Sequence, residues 1–320
     1  MNRREFIRKS ATLAPALGLF PADLTAIARE FSKGKIEKRA LGKTGEMLSI
    51  IGFGGIVVRD VSTHEAAQSV RNAVDAGINY FDVAPSYGNA ESMLGPALEP
   101  FRKDVFLSCK TGRKDKAGAR QELEQSLEYL RTDYFDLYQL HAVSSVEDVH
   151  TLLGKGGALE TCLEAQKEGK IRYLGFSAHT VEAAMELMKG FDFDTIMFPF
   201  NYASWNKGNF GPQVLEKAKE KQMGIIALKA MAKGRWPQNA DRSKYPKAWY
   251  EPLDNREDAL LGLRFSLSHP ITTAIPPGEP SLFQLALNLR DEIHPMKQEE
   301  IDQLKIRSLD HDPLFTYKAG

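Results

Sequence analysis

From about Lys35 the chain alternates short apolar runs with amphipathic stretches of helical period. The strand-type runs are Ile50 to Phe53, Asn79 to Val83, Val105 to Cys109 and Phe135 to Leu140, then Tyr173 to Phe176, Thr195 to Phe200, Ile225 to Leu228 and Thr273 to Ile275. Between them, apolar positions recur every three or four residues over Thr63 to Ala76, Glu91 to Leu98, Ala117 to Leu130, Gly157 to Glu168, Val181 to Lys189, Pro212 to Lys221 and Ala259 to Ser268. Thr63 is the expected N-cap of the first of these helices. Lys38 to Gly45, with glycines at 42 and 45, reads as a hairpin ahead of the first run. Two further helical stretches, Leu282 to Leu289 and Gln298 to Leu304, close the chain.

Runs of three to six mostly apolar residues separated by helices belong to a parallel sheet buried on both faces. Eight such units are the number that closes a barrel. The alternative, an open doubly wound sheet, usually carries G-x-G-x-x-G after its first strand. Gly52-Phe53-Gly54-Gly55 does not have that spacing, and a loop follows it. The pattern therefore predicts an α/β protein: a single (β/α)8 TIM barrel over residues 35–320, with an N-terminal β-hairpin and extra C-terminal helices.

One connection breaks the rhythm. Between Lys229 and Ala259 the chain has little periodicity but several aromatics, among them Trp236, Tyr245, Trp249 and Tyr250. Long irregular loops in compact domains usually serve a site, and β-to-α loops lie on the active face of a barrel. A lid is expected here.

Lys+Arg and Asp+Glu are equal at 42 each, so no net field draws the chain to nucleic acid or anionic membrane. The two cysteines, Cys109 and Cys162, lack metal-ligand spacing and are expected as buried thiols. Residues 1–34 differ in kind from the rest. Arg3-Arg4 precedes Phe6-Ile7 and a soft apolar stretch, which ends near Ala26-Ile27-Ala28. The stretch is interrupted by Pro15 and Pro21, so it is not expected to span a bilayer. It resembles a twin-arginine export signal with an A-x-A cleavage site, which implies the twin-arginine machinery as a partner and a periplasmic location. The alternative is a cytoplasmic protein with a basic extension.

The chemistry lies at the strand ends. Asp82 closes one apolar run, Lys110 follows the next and His141 the one after, while Tyr87 stands five residues beyond the aspartate. Each alone has an ordinary structural explanation, but three consecutive strands delivering ionisable groups to one rim form a site. At these residues the chain resembles the aldo-keto reductase family, from roughly Arg39 to Asn288. The likeness rests on Asp82-Val83-Ala84 with Tyr87-Gly88, Glu91 to Gly95, Lys110-Thr111-Gly112, Leu140-His141, Gly175-Phe176-Ser177 and Ile275-Pro276-Pro277-Gly278.

The resemblance implies a barrel that binds NADP or NAD at its C-terminal face and reduces a small carbonyl compound to an alcohol. Hydride arriving at a carbonyl carbon leaves charge on oxygen, which needs a proton donor. Tyr87 is that general acid, with Lys110 expected to lower its pKa, Asp82 to hold the lysine and His141 to orient the substrate oxygen. Cofactor contacts are expected from Gly54, Ser177, Asn201, Leu228, Gly278, Glu279, Gln284 and Asn288. Ala178 and Met197 replace the amide side chains usual beside the carboxamide, and Leu228 replaces an aromatic. Gln284 stands where an arginine for the 2′-phosphate is common, which leaves NADPH against NADH open. Two other functions compete: a non-catalytic dinucleotide sensor, and a Schiff-base aldolase using Lys110. The paired Asp82 argues against the second, because such a lysine works uncharged.

Overall fold

The computed structural model describes residues 36–318, so the expected export signal lies outside the described residues. The chain opens with an antiparallel hairpin of β1 (Lys38–Ala40) and β2 (Met47–Ser49). Parallel strands β3 (Phe53–Gly54), β4 (Tyr80–Asp82), β5 (Phe106–Thr111), β6 (Phe135–Val143), β7 (Ile171–Ala178), β8 (Thr195–Pro199) and β9 (Gly224–Leu228) follow. After β9, β10 (Ala232–Gly234) and β11 (Glu251–Pro252) make a separate antiparallel ribbon, and β12 (Thr273–Ile275) returns to pair with β9. The sheet runs from β3 to β9 in chain order and then to β12. A parallel bridge from Ile51 to Ala274 joins its two edges, so the eight strands close into the expected (β/α)8 barrel.

The helices are α1 (Thr63–Asp75), α2 (Ala90–Leu98), α3 (Lys116–Tyr129), α4 (Val146–Leu153), α5 (Ala158–Lys167) and α6 (Val181–Gly190). They continue with α7 (Tyr202–Asn206), α8 (Pro212–Glu220), α9 (Arg256–Ser268), α10 (Pro280–Leu289) and α11 (Gln298–Arg307). Ser62, not Thr63, caps α1. Its side chain accepts from the Glu65 N–H, and the Glu65 carboxylate returns a bond to the cap, so the Ser-x-x-Glu box decides the start. Helix α4 falls where the pattern indicates only a loose segment. Its two turns offer just Val149 and Leu152 to the core, too short a run to show a period.

Strand geometry sorts the side chains in two layers. Alternate residues point inward, and Tyr80, Phe106, Leu137, Met197, Ile226 and Ile275 fill the barrel. Leu41 and Leu48 of the hairpin join this cluster and close the N-terminal end. The intervening residues pack outward; Phe81, for example, sits 5.1 Å from the Phe53 ring, which in turn meets Phe283 of α10 at 4.9 Å. Burying each such side chain contributes about 1.5–3 kcal/mol. With one end of the barrel plugged by apolar groups, the inward positions at the other end are left for polar chemistry. Cys109 and Cys162 are buried and unpaired.

Candidate active site

The inward alternation that places Tyr80 and Phe106 in the core places Asp82 and Lys110 two and four residues later at the C-terminal rim. Lys110 Nζ donates to Asp82 Oδ2 at 2.5 Å and to the Val83 carbonyl at 3.1 Å. Both side chains are almost wholly buried. Gln139, on the inner face of β6 and in register with Lys110, donates to Ser108 Oγ at 2.9 Å and reaches Asp82 Oδ1 at 3.4 Å. Tyr80 Oη also lies 3.4 Å from that oxygen. The aspartate thus has a lysine on one oxygen and two neutral donors on the other, which offset only part of the cost of its burial, and its carboxyl is raised above the ordinary range. Gln139 escapes a search for ionisable residues, although its position two before His141 puts it on the same face.

Tyr87 belongs to the turn after β4, held by its N–H to the Ala84 carbonyl at 3.0 Å. Its ring lies 5.1 Å from Lys110 Nζ and meets the His141 ring edge-on at 5.8 Å between centroids. Burial raises the phenol above its ordinary range, and Lys110 only partly offsets this. Lys110 does act to lower the phenol, as expected, but the net shift is upward because the site withholds solvent from a phenolate more effectively than one ammonium stabilises it. Burial pushes Lys110 down, but Asp82 and Tyr87 together outweigh it, and the ammonium is held charged.

His141 sits at an irregularity of β6. The register with β7 shifts between Leu140 and Val143, and Ala142 takes a positive φ of 54°. The Ala142 N–H freed by this bulge donates to Ser177 Oγ at 2.7 Å. The imidazole is driven down to about 3, first by burial and then by Lys110, His179 and Lys229. It is a neutral ring, able to donate one N–H and accept at the other nitrogen. Its Nδ1 lies 3.5 Å from Ser86 Oγ.

These groups open on a cavity of about 240 Å³ lined also by Ser177, Met197, Leu228, Ile275–Gly278, Ile56 and Gly54, the last in register with Asp82 on the neighbouring strand. Asp82, Tyr87, His141, Gly54, Ser177, Leu228 and Gly278 all border it, while Lys110 lies beneath. Gly278 is required there: a Cβ would come within 2.3 Å of Ile56 Cγ2. Ser177, already accepting from Ala142, keeps its hydroxyl proton for a ligand carbonyl. The remaining expected contacts lie outside the cavity wall. Asn201 caps α7 by accepting from the Ser204 N–H at 2.9 Å. Gln284 Nε2 donates to Asn288 Oδ1 at 2.9 Å on the outer face of α10, and Glu279 accepts from the backbone N–H of Lys247.

Lys247 shows what the irregular loop does. Its Nζ donates to the carbonyls of Arg59 at 2.6 Å and Val57 at 3.2 Å. One residue thus ties the β10–β11 connection to the β3 loop and, through Glu279, to the start of α10. Ala248, Trp249 and Tyr250 beside it form part of the cavity wall. The loop is a strap over the site, as the sequence suggests, but the residues that fasten it show no period and are not legible in advance. His179 and Lys229 were also passed over; both line the cavity one or two residues beyond inward strand positions.

A barrel with this rim defines a class of protein, and comparison with known sequences identifies it. The pattern of the Aldo/keto reductase family matches residues 50–307, and the chain belongs to that family of oxidoreductases. It is 26% identical to YqkF, an uncharacterised oxidoreductase of Bacillus subtilis, over 89% of this chain and 99% of that one. It is likewise 26% identical to L-galactose dehydrogenase of Arabidopsis thaliana, over 80% of this chain and 88% of that one. Its fold matches an aldo-keto reductase from Klebsiella pneumoniae solved in complex with NADPH, with a TM-score of 0.68 at 23% identity over 89% and 98% of the two chains.

Proposed function

We propose that this enzyme reduces an aldehyde or ketone to an alcohol with NADPH or NADH, and that Tyr87 is the proton donor. The observation that carries this reading is the meeting of Tyr87, His141 and the Lys110–Asp82 pair at one end of a single cavity. The rest of that cavity suits a dinucleotide: a free hydroxyl proton on Ser177, an apolar wall at Leu228, and a side-chain-free approach at Gly278 beside the N-terminus of α10. The named NADPH complex of the Klebsiella relative supports the same choice. The bound dinucleotide supplies the hydride.

The chain's residues then handle the oxygen. The neutral His141 donates its N–H to the carbonyl and fixes its direction. Tyr87 holds its proton on Oη and releases it as charge builds on the substrate oxygen, an alkoxide being far more basic than a phenolate. Lys110, kept charged by Asp82, stabilises the tyrosinate that remains. Buried walls exclude water, which strengthens each of these interactions. The sensor alternative is disfavoured because all four catalytic positions are present and meet; the aldolase alternative is disfavoured because Lys110 is charged and paired.

Tyr87→Phe tests the assignment. It should reduce carbonyl turnover by about 10²- to 10⁴-fold while dinucleotide affinity is kept. A variant turning over at the parent rate would refute the role of Tyr87. For the choice of dinucleotide, the commitment of Glu279 to Lys247 and the neutral Gln284 leave no arginine on the face of α10 for a 2′-phosphate. The chain is accordingly proposed to discriminate weakly between the two, which fluorescence titration measures directly.

The same proposal extends to location. Arg3-Arg4, Phe6 and Ala26-Ile27-Ala28 fit export by the twin-arginine route. Replacing both arginines with lysine should leave the enzyme in the cytoplasm, and a parent protein found only there would contradict export.

A further inference from the structure

Lys229 directly follows β9, next to Leu228, in a left-handed conformation with φ of 61°. It is 8% exposed and borders the cavity. The ammonium lies 5.5 Å from the centre of the Trp249 ring and 5.9 Å from that of Phe315. No carboxylate forms an ion pair with it among the described residues, and its Nζ makes no hydrogen bond there. The other two amines of the site are both satisfied: Lys110 by Asp82 and Val83, Lys247 by the carbonyls of the β3 loop. What surrounds Lys229 is otherwise neutral or positive. His141 and His179 both feel its charge, and Lys110 repels it from below. Asp82, the acid of this end, is already taken.

A buried ammonium without a counter-ion is costly, and aromatic faces offset only part of that. Burial accordingly lowers Lys229 to about 8. Its side chain borders the cavity, so a ligand entering there can reach the amine. We propose that Lys229 is the counter-ion for a carboxylate on the substrate, so that the enzyme acts on carbonyl compounds that also carry an acid group. This rests on the carbonyl-reductase reading above and names the substrate class for it. Trp249 and Phe315 flank the amine, and Trp249, which lines the cavity, supplies apolar contact to the segment between carbonyl and acid. The anionic part of a dinucleotide is the other negative group that enters this cavity. Lys229, however, is near enough to His141 and His179 for its charge to act on both, and near enough to Lys110 to be repelled by it, which places the amine among the groups that meet the carbonyl.

The test uses the full chain with NADPH and two aldehydes of nearly one shape, 4-carboxybenzaldehyde and methyl 4-formylbenzoate. The straight-chain pair 4-oxobutanoate and butanal covers a different spacing. The acid is expected to exceed its neutral partner in kcat/KM in at least one pair. Lys229→Met should reduce that preference by about 10- to 100-fold, the range of a hydrogen bond to a charged group, chiefly through KM. Lys229→Arg should restore part of it. Equal use of acid and neutral aldehyde by the parent enzyme, or a preference unchanged in Lys229→Met, overturns the inference. So does a variant whose main loss is NADPH affinity, which would assign the amine to the dinucleotide. If none of the aldehydes is reduced, the carbonyl-reductase reading fails by itself. Calorimetric titration with benzoate then decides the counter-ion role: tighter binding to the parent chain than to Lys229→Met upholds it, and equal binding ends it.

Discussion

Lys110 Nζ and Asp82 Oδ2 stand 2.5 Å apart on adjacent strands, and neither side chain has appreciable contact with solvent. A buried pair of this kind gives little net stability, yet removal of one partner strands a charge. Asp82→Asn should therefore cost on the order of 3 kcal/mol of folding stability, read as a shift in the urea midpoint. The double variant Asp82→Asn with Lys110→Met should recover most of it, since no charge remains buried. Activity should stay low in both: the single variant loses the carboxylate that positions Lys110 and holds it charged, and the double variant loses the cation itself. Recovery of activity along with stability would show that the pair is only structural.

The depressed histidines make a prediction for acid. His141 and His179 sit at about 3 and about 4 in the fold, against an ordinary value of 6.5. Above 6.5 both are neutral folded or unfolded, and no stability is lost. Below it the unfolded chain takes up protons that the fold refuses, so stability falls as pH drops from 6.5 towards the folded values. Melting curves at pH 7.5 and 5.0 should show a drop in the parent that His141→Gln with His179→Gln makes smaller. Equal drops would mean that other groups dominate the acid response.

Lys229 carries the opposite kind of penalty. Its folded value of about 8 lies below the ordinary 10.5, so the fold binds its proton less well than the unfolded chain does. The destabilisation is complete below pH 8 and is relieved as pH rises from 8 to 10.5. Lys229→Met should raise stability at pH 7 by on the order of 2 kcal/mol and give a smaller gain at pH 9.5. A destabilised variant at pH 7 would show that the amine is better satisfied than its surroundings indicate. The same melts establish that the variant is folded when its substrate preference is measured.

The strap makes a kinetic prediction. Lys247→Met removes the side-chain bonds to Arg59 and Val57 while keeping the backbone bond to Glu279. Release of the dinucleotide should quicken by about tenfold, the effect of one or two net hydrogen bonds. Stopped-flow fluorescence of displaced NADPH measures this. An unchanged rate would place the strap's opening elsewhere.

Much of the site was readable because its residues obey the strand period. Asp82, Lys110 and His141 each fall on inward positions just past an apolar run, and the closed barrel brings those ends together. The same rule reaches Gln139 once uncharged residues are included, but not Lys229, which stands one residue past the inward Leu228 and faces the cavity through its left-handed backbone. It does not reach Lys247 or Trp249, which come from an irregular segment and meet the cavity through the way a loop crosses its mouth. Nor does it reach the sign of the Tyr87 shift. The sequence places a lysine near the phenol, but the competing term is desolvation, a property of everything packed around the ring.

By itself, then, the order of residues determined the eight strand–helix units, their closure and which ends carry ionisable groups, because those follow from local period and from chain-order pairing in a parallel sheet. Only the tertiary structure decided that Glu279 and Gln284 bond to Lys247 and Asn288, and that Asn201 caps a helix with its oxygen while its Nδ2 stays buried without a partner. It alone decided that one amine of the site has a carboxylate and another has none. Those outcomes depend on which groups, far apart in the chain, compete for the same partner, and hydrogen bonding and burial settle that competition in three dimensions.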